Sequence, residues 1–108
     1  MREALVLVHG LPAARLSEGD DRREYRLTYH GDYAGPPVSL ALPVRPEPYV
    51  FDRFPPFFDG LLPEGLQLEA LLRAAKLDRS DGFGQILCVG RDLVGAVTVL
   101  PPDTEAGP

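Results

Sequence analysis

The sequence is poor in several residue types from which functional sites are commonly built. Its 108 residues include no tryptophan, one cysteine, one lysine and two histidines. The single cysteine, Cys88, excludes an internal disulfide and fits a reducing compartment, so we expect a cytoplasmic protein. Cys88, His9 and His30 do not have the spacing of zinc ligands. We therefore expect no metal site and no bound cofactor.

Long hydrophobic runs and positive charge are also scarce. No apolar run approaches the roughly 18 residues of a membrane span, and the apolar N-terminal run ends at His9, too early for a secretion signal. The 16 acidic residues outnumber the 11 basic ones, giving a net charge of −5. Direct binding to nucleic acid or to anionic lipid is not expected, because both interactions rely on Lys and Arg.

No combination of residues predicts a catalytic site. Cys88 could meet a histidine in space, but its position between Leu87 and Val89 is typical of a small core residue. The carboxylates fit turns, first turns of helices and solvated faces. The only lysine, Lys76, ends a predicted helix and does not belong to a phosphate-binding loop. We therefore expect no catalytic residue and no enzymatic activity.

Strand patterns fill the first half of the chain and helical patterns the second half. Alternation of Tyr25, Leu27 and Tyr29 with polar residues is typical of a half-buried strand, and leucines recur at helical spacing between Glu64 and Leu77. Ser80 is the predicted N-cap of the third helix. The expected strands are 4–8, 13–16, 24–29, 38–42 and 94–100, and the expected helices are 56–62, 64–77 and 80–89, followed by Gly90 as a C′ glycine.

The order of these elements predicts an α+β fold. We expect a small, largely antiparallel sheet or partly closed barrel, with about three short helices between the early strands and the last strand. Residues 1–102 are expected to form one domain and 103–108 a tail without order. Residues 43–56 hold five prolines and are interpreted as an extended connection over the surface.

Large apolar residues are concentrated between Phe51 and Leu66. A domain of this size does not necessarily bury all of them, so part of the cluster is a candidate contact surface for a protein partner. Packing in the core is the alternative for each residue, because large aromatic side chains are mostly buried.

Four motifs resemble the N-terminal subdomain of the HipA family. Residues 57–65 match its FF-x-x-LLPEG signature, and residues 89–99 resemble its closing IGRD-x-x-GAVT stretch. Residues 39–43 resemble its S-L-S-L-P strand end, and residues 77–83 resemble its link into the third helix. The resemblance runs in order from about residue 4 to residue 102 and is therefore specific.

The resemblance implies a function in a bacterial toxin–antitoxin system. HipA-type proteins are serine/threonine kinases that act with a HipB-type DNA-binding antitoxin, and their kinase core follows this subdomain. The chain lacks that core and is similar to the HipS-like protein of a split HipBST-type system. There the small protein is an antitoxin that binds and inhibits a separately encoded HipT-like kinase. Alternatively, the chain is a detached lobe that completes or stabilises the kinase without inhibiting it.

The implied partner is a HipT-like kinase, and a HipB-like protein would supply any DNA binding of the complex. No catalytic residue is implied. Because the chain has no tryptophan, a tryptophan plug in the kinase is excluded. The candidate partner-binding residues either contact the kinase or hold the fold. They are Phe54 from the apolar cluster and, from the first signature, Phe57, Phe58, Leu61, Leu62, Pro63 and Glu64.

Overall fold

Strands from both ends of the chain form one antiparallel sheet. A computed structural model describes residues 2–93 and 95–102. Its five strands lie in the order β4-β3-β2-β1-β5, and the sheet is open. The α+β prediction is confirmed, in its sheet form and not as a partly closed barrel. The elements are β1 (Arg2–Val8), β2 (Leu11–Glu18), β3 (Tyr25–Tyr29), β4 (Tyr49–Phe51), α1 (Pro56–Asp59), α2 (Gly65–Ala75), α3 (Gly82–Val89), a 3-10 turn (Gly90–Asp92) and β5 (Val97–Leu100).

Strand β1 is buried on both faces, which explains its continuous apolar sequence. Ala4, Val6 and Val8 belong to the main core, together with residues of the helices. Leu5 and Leu7 point to the opposite face because side chains alternate along a strand. They form a smaller cluster there with Leu100 of β5.

The hairpin between β1 and β2 has a two-residue turn. His9 and Gly10 both have positive φ angles, of 51° and 80°, as a type I′ hairpin turn requires. The backbone N–H of His9 also donates to the carbonyl of Ala96, at 2.9 Å. This bond brings the start of β5 to the tip of the hairpin.

The prediction of a strand at 38–42 is wrong. This segment makes only an isolated bridge between Ser39 and Leu42, and Leu40 is 94% exposed. The fourth strand is instead β4, inside the proline-rich segment, where it pairs with β3. Alternation of apolar residues could not show which of the two segments forms a strand. The backbone around 38–42 is bonded by the Tyr29 side chain, through the N–H of Val38 and the carbonyl of Leu42, and not by a neighbouring strand.

The three helices follow in the predicted order, with corrections at the ends of the third. The N-cap of α3 is Asp81, not Ser80, and its side chain accepts a hydrogen bond from the N–H of Gly84. Gly90 has a φ of −61°, so it is not a left-handed C′ glycine. The last strand begins at Val97 instead of Val94. Val94 and the predicted tail, 103–108, lie outside the described residues.

Candidate protein-binding surface

The seven candidate residues lie in, before and after α1, but they are not equally exposed. Phe58 is completely buried and belongs to the main core. Phe57 contacts it edge to face, with ring centroids 5.1 Å apart, and remains half-buried. Phe58 therefore holds α1 on the sheet, whereas Phe57 is accessible at the edge of this packing.

Phe54 packs mainly against the sheet and α3. Its ring lies edge to face with Tyr25, at 5.8 Å, and with Phe83, at 6.5 Å. A side chain at Gly82 would come within 2.7 Å of the Phe54 ring. The half-buried Phe54 side chain thus orients the segment that leads into α1.

A groove opens directly after α1. It is lined by Leu61, Leu62 and Pro63 together with Val89 and Leu93. Its volume is about 550 Å³, and Gln67 and Asp92 add polar groups to its wall. The predicted candidates after α1 are therefore accessible, and apolar side chains from two parts of the sequence meet there.

Helix α2 continues this surface, with an apolar face that is incompletely covered. None of its residues is buried, and Leu66 in its first turn is 88% exposed. Leu68, Leu71 and Leu72 are half-buried. Exposed Glu64 precedes the helix as its N-cap, without a side-chain cap hydrogen bond. Leu66 was not among the candidate residues, although its place in the apolar cluster was a signal for it.

The α1–α2 surface is the name we use for the groove after α1 together with helix α2. Helix α2 begins at Gly65, whose φ is +60°, and it ends at exposed Lys76, whose φ is 56°. These two left-handed residues set the ends of the helix, and α3 is the element packed beside it. Apolar side chains that the domain leaves accessible therefore continue from the groove onto helix α2.

A cluster of charged residues binds α3 to the sheet on another part of the domain. The guanidinium of Arg2 donates to both carboxylate oxygens of Glu18, at 2.7 and 3.0 Å, and of Asp81, at 3.2 and 2.7 Å. Tyr25 donates its hydroxyl to Glu18, at 2.8 Å. Both carboxylates are buried, so their charges are compensated within the fold.

These contacts shift the ionisation of the cluster. Hydrogen bonds from Arg2 hold the pKa of Asp81 below its usual range, and those to Asp81 and Glu18 raise the pKa of Arg2. Burial, helped by the hydrogen bond to Glu18, raises the pKa of Tyr25 to about 12. The carboxylates are thus fully used in structural contacts, as expected for arginine paired bidentately.

The remaining candidates for chemistry were Cys88, His9 and His30. Cys88 is exposed, so its interpretation as a core residue is wrong. The buried side of α3 carries Phe83 and Ile86, and Cys88 points away from it. Within the described residues, no three His, Cys, Asp or Glu side chains gather as metal ligands. No helix in 2–93 or 95–102 is long and apolar enough to cross a membrane.

Known proteins resemble the chain over two thirds of its length or more. An uncharacterized protein of Haemophilus influenzae is 32% identical over 99 residues, which are 92% of each chain. A Sinorhizobium fredii protein named "Putative kinase Y4dM" is 34% identical over 95% of this chain. Another, named "Putative kinase Y4mE", is 39% identical over 67% of it. The chain spans only 27% and 18% of these two longer proteins.

Solved structures show the same fold. A structure described as the N-terminal domain of HipA toxin matches with a TM-score of 0.76 and 29% identity, over 97% of this chain and 96% of that one. A chain from the Shewanella oneidensis complex of HipA, HipB and operator DNA matches with a TM-score of 0.72 and 23% identity. That match covers 94% of this chain and 25% of the other.

The sequence profile of the HipA N-terminal domain matches residues 4–100. This range begins within β1 and includes the α1–α2 surface and β5. The chain therefore belongs to the HipA N-terminal domain family.

Proposed function

We propose that the chain is a non-catalytic binding module that binds and inhibits a separately encoded HipT-like serine/threonine kinase. In this role it acts as a HipS-like antitoxin of a toxin–antitoxin system, in the cytoplasm. The proposed contact site is the α1–α2 surface, with half-buried Leu61, Leu62 and Pro63 accessible on it, together with half-buried Phe57 of α1. Phe58 anchors α1 in the core, Phe54 orients the segment that leads into α1, and Glu64 precedes α2 as its N-cap.

The observation that carries the proposal is the incomplete cover of helix α2. An eleven-residue amphipathic helix normally buries its apolar stripe, yet α2 has no buried residue. Its half-buried leucines and the exposed Leu66 adjoin the groove of Leu61, Leu62 and Pro63. Covering this surface with a partner would remove apolar area from water, which favours association.

The relatives support a kinase as that partner. The same domain occurs in two Sinorhizobium proteins named as kinases, where it spans a small part of a longer chain. It also occurs in a Haemophilus protein of similar length to this chain. A domain found in both settings can use one surface for contacts within a chain or between chains.

DNA binding by the complex would come from a HipB-like protein. The net charge of −5 disfavours direct contact with phosphates. The Shewanella structure joins HipA, HipB and operator DNA in one complex, which supports an indirect role for the present chain.

The proposal is tested by measuring autophosphorylation of a HipT-like kinase encoded next to this chain. The kinase is assayed alone and with equimolar purified chain, after co-purification has tested binding. Suppressed autophosphorylation is the expected result. Binding without suppression would support the alternative, a detached lobe that completes or stabilises the kinase. Absence of both a neighbouring kinase and a co-purified one would overturn the two hypotheses together.

The contact site is tested with matched leucine variants. Leu66→Asp places a charge on the α1–α2 surface at a side chain that is already 88% exposed, so the fold should persist. Leu11→Asp introduces the same charge at a leucine that is 58% exposed in β2. We expect only Leu66→Asp to weaken kinase binding. If both variants bind the kinase equally well, Leu66 does not belong to the contact site.

A further inference from the structure

Residues 39–42 form a tight turn with defined hydrogen bonds. The N–H of Leu42 donates to the carbonyl of Ser39, at 2.9 Å, and the N–H of Ala41 donates to the Ser39 hydroxyl, at 3.2 Å. These bonds join both ends of the turn, so Leu40 and Ala41 are its two central residues.

The core holds both sides of this turn. Val38 and Leu42 are buried, with 5% and 8% of their surfaces exposed. The hydroxyl of buried Tyr29 accepts from the N–H of Val38, at 2.8 Å, and donates to the carbonyl of Leu42, at 2.5 Å. One side chain from β3 therefore fixes the backbone before and after the turn.

The flanking segments are held in a similar way. The Tyr33 hydroxyl donates to the carbonyl of Pro36, and the Tyr49 hydroxyl donates to the carbonyl of Pro43, at 2.6 Å. The Arg45 guanidinium lies 3.7 Å from the centre of the Tyr49 ring. Because these contacts lie on both sides of the turn, the long segment between β3 and β4 has a defined path without strand pairing.

Leu40 projects from the apex of this held turn and is 94% exposed. A single exposed leucine is ordinary on a protein surface, but the central positions of turns usually carry Gly, Pro, Asn, Asp or Ser. The backbone around Leu40 is already ordered, so binding through its side chain would lose little conformational entropy. Such a pre-organised apolar side chain is suited to insertion into a pocket.

We propose that Leu40 inserts into an apolar pocket on the body of the HipT-like kinase, as a second contact in addition to the α1–α2 surface. This inference rests on the proposed function. The kinase body is the chosen occupant because 95% of this chain aligns with one part of a longer protein named as a kinase. In that protein the domain is joined to a much larger remainder, which is the natural source of such a pocket.

Three variants test this contact by titration of the purified kinase with the full chain. Leu40→Asp should weaken binding about tenfold or more, because a carboxylate would be placed in an apolar pocket. Leu40→Met conserves volume and polarity and should bind within about threefold of the wild type. Leu11→Asp is the matched control and should bind like the wild type. All three should keep the wild-type melting temperature, since both leucines are exposed.

The outcomes separate the two proposals. Wild-type affinity of Leu40→Asp would overturn the Leu40 contact and leave the proposed function intact. If the wild-type chain does not bind the kinase, the proposed function fails and the Leu40 contact fails with it. Sedimentation of the chain alone tests a second copy as the occupant. Self-association that Leu40→Asp abolishes, with unchanged kinase binding, would assign the turn to a homodimer and overturn the proposal.

Discussion

Gly90 lies between α3 and β5, where backbone meets backbone. A Cβ atom at this position would come within 2.0 Å of the Val99 carbonyl oxygen, and that backbone cannot easily move. We predict that Gly90→Ala lowers the free energy of unfolding by about 3 kcal/mol. Urea denaturation measures the loss. Gly31→Ala is the control, because nothing lies within 4 Å of its Cβ, and a loss of similar size there would contradict the steric explanation.

Asp81 links acid stability to the contact between Arg2 and α3. Its lowered pKa means that folding favours the ionised carboxylate. The stability gained from this preference is fully present at pH values above the ordinary pKa of 3.8. It is lost as the pH falls through the lower pKa of the folded state. Asp81→Asn keeps an N-cap acceptor for Gly84 but removes the charge. We expect it to lower stability by about 2 kcal/mol at neutral pH.

The difference between Asp81→Asn and the wild type should narrow as the pH falls below about 4, because the unfolded wild-type carboxylate then takes up protons while the folded one, with its lowered pKa, stays ionised longer. Urea denaturation at neutral pH and at about pH 3 measures this change. Asp52→Asn, at an exposed aspartate after β4, should leave stability within about 0.5 kcal/mol. A constant difference for Asp81→Asn across this range would contradict the pairing with Arg2.

At the scale of elements, helix α2 ends in a residue with an unfavourable backbone conformation. Lys76 has a φ of 56°, a left-handed conformation that disfavours residues with a Cβ. We predict that Lys76→Gly stabilises the domain by about 0.5 kcal/mol. Arg73→Gly, inside the last turn, removes the same charge but should destabilise by about 1 kcal/mol. Thermal unfolding measures both, and the same sign for the two would contradict the assignment of the helix end.

Elements with a strong local period could be predicted from the sequence, whereas those defined by distant contacts could not. The alternation of Tyr25, Leu27 and Tyr29 predicted β3, and leucine spacing predicted α2. The three residues of β4 show no distinctive pattern, and they form a strand only because β3 offers a partner. The alternation around Leu40 was misleading, since the hydroxyl of Tyr29 organises that segment from elsewhere in the chain.

The candidate surface was predictable in location but not in detail. The apolar cluster and its signature indicated the region around α1, yet composition does not distinguish Phe58, which is buried, from Leu66, which is 88% exposed. That distinction depends on how α1 and α2 sit against the sheet. Cys88 illustrates the same limit, because its apolar neighbours Leu87 and Val89 do not determine which side of α3 it occupies.

At the scale of the whole molecule, one core connects the sheet to the helices. Phe58 is completely buried in that core, so Phe58→Ala should lower the free energy of unfolding by about 3–5 kcal/mol. Leu66→Ala should change it by less than about 0.5 kcal/mol. Urea denaturation followed by tyrosine fluorescence measures both. Similar losses for the two variants would contradict the division of the apolar cluster into core and surface.

The exposed Lys76 at the end of α2 also makes the molecule selectively reactive. It is the only lysine in the sequence, so amine-directed reagents have one side-chain target beside the terminal amine. A fluorophore or photo-crosslinker attached to Lys76 would report from the end of α2 without new mutations. Such a label would record the arrival of a partner at the neighbouring surface in real time, and its crosslinks would identify the partner segment that lies against it.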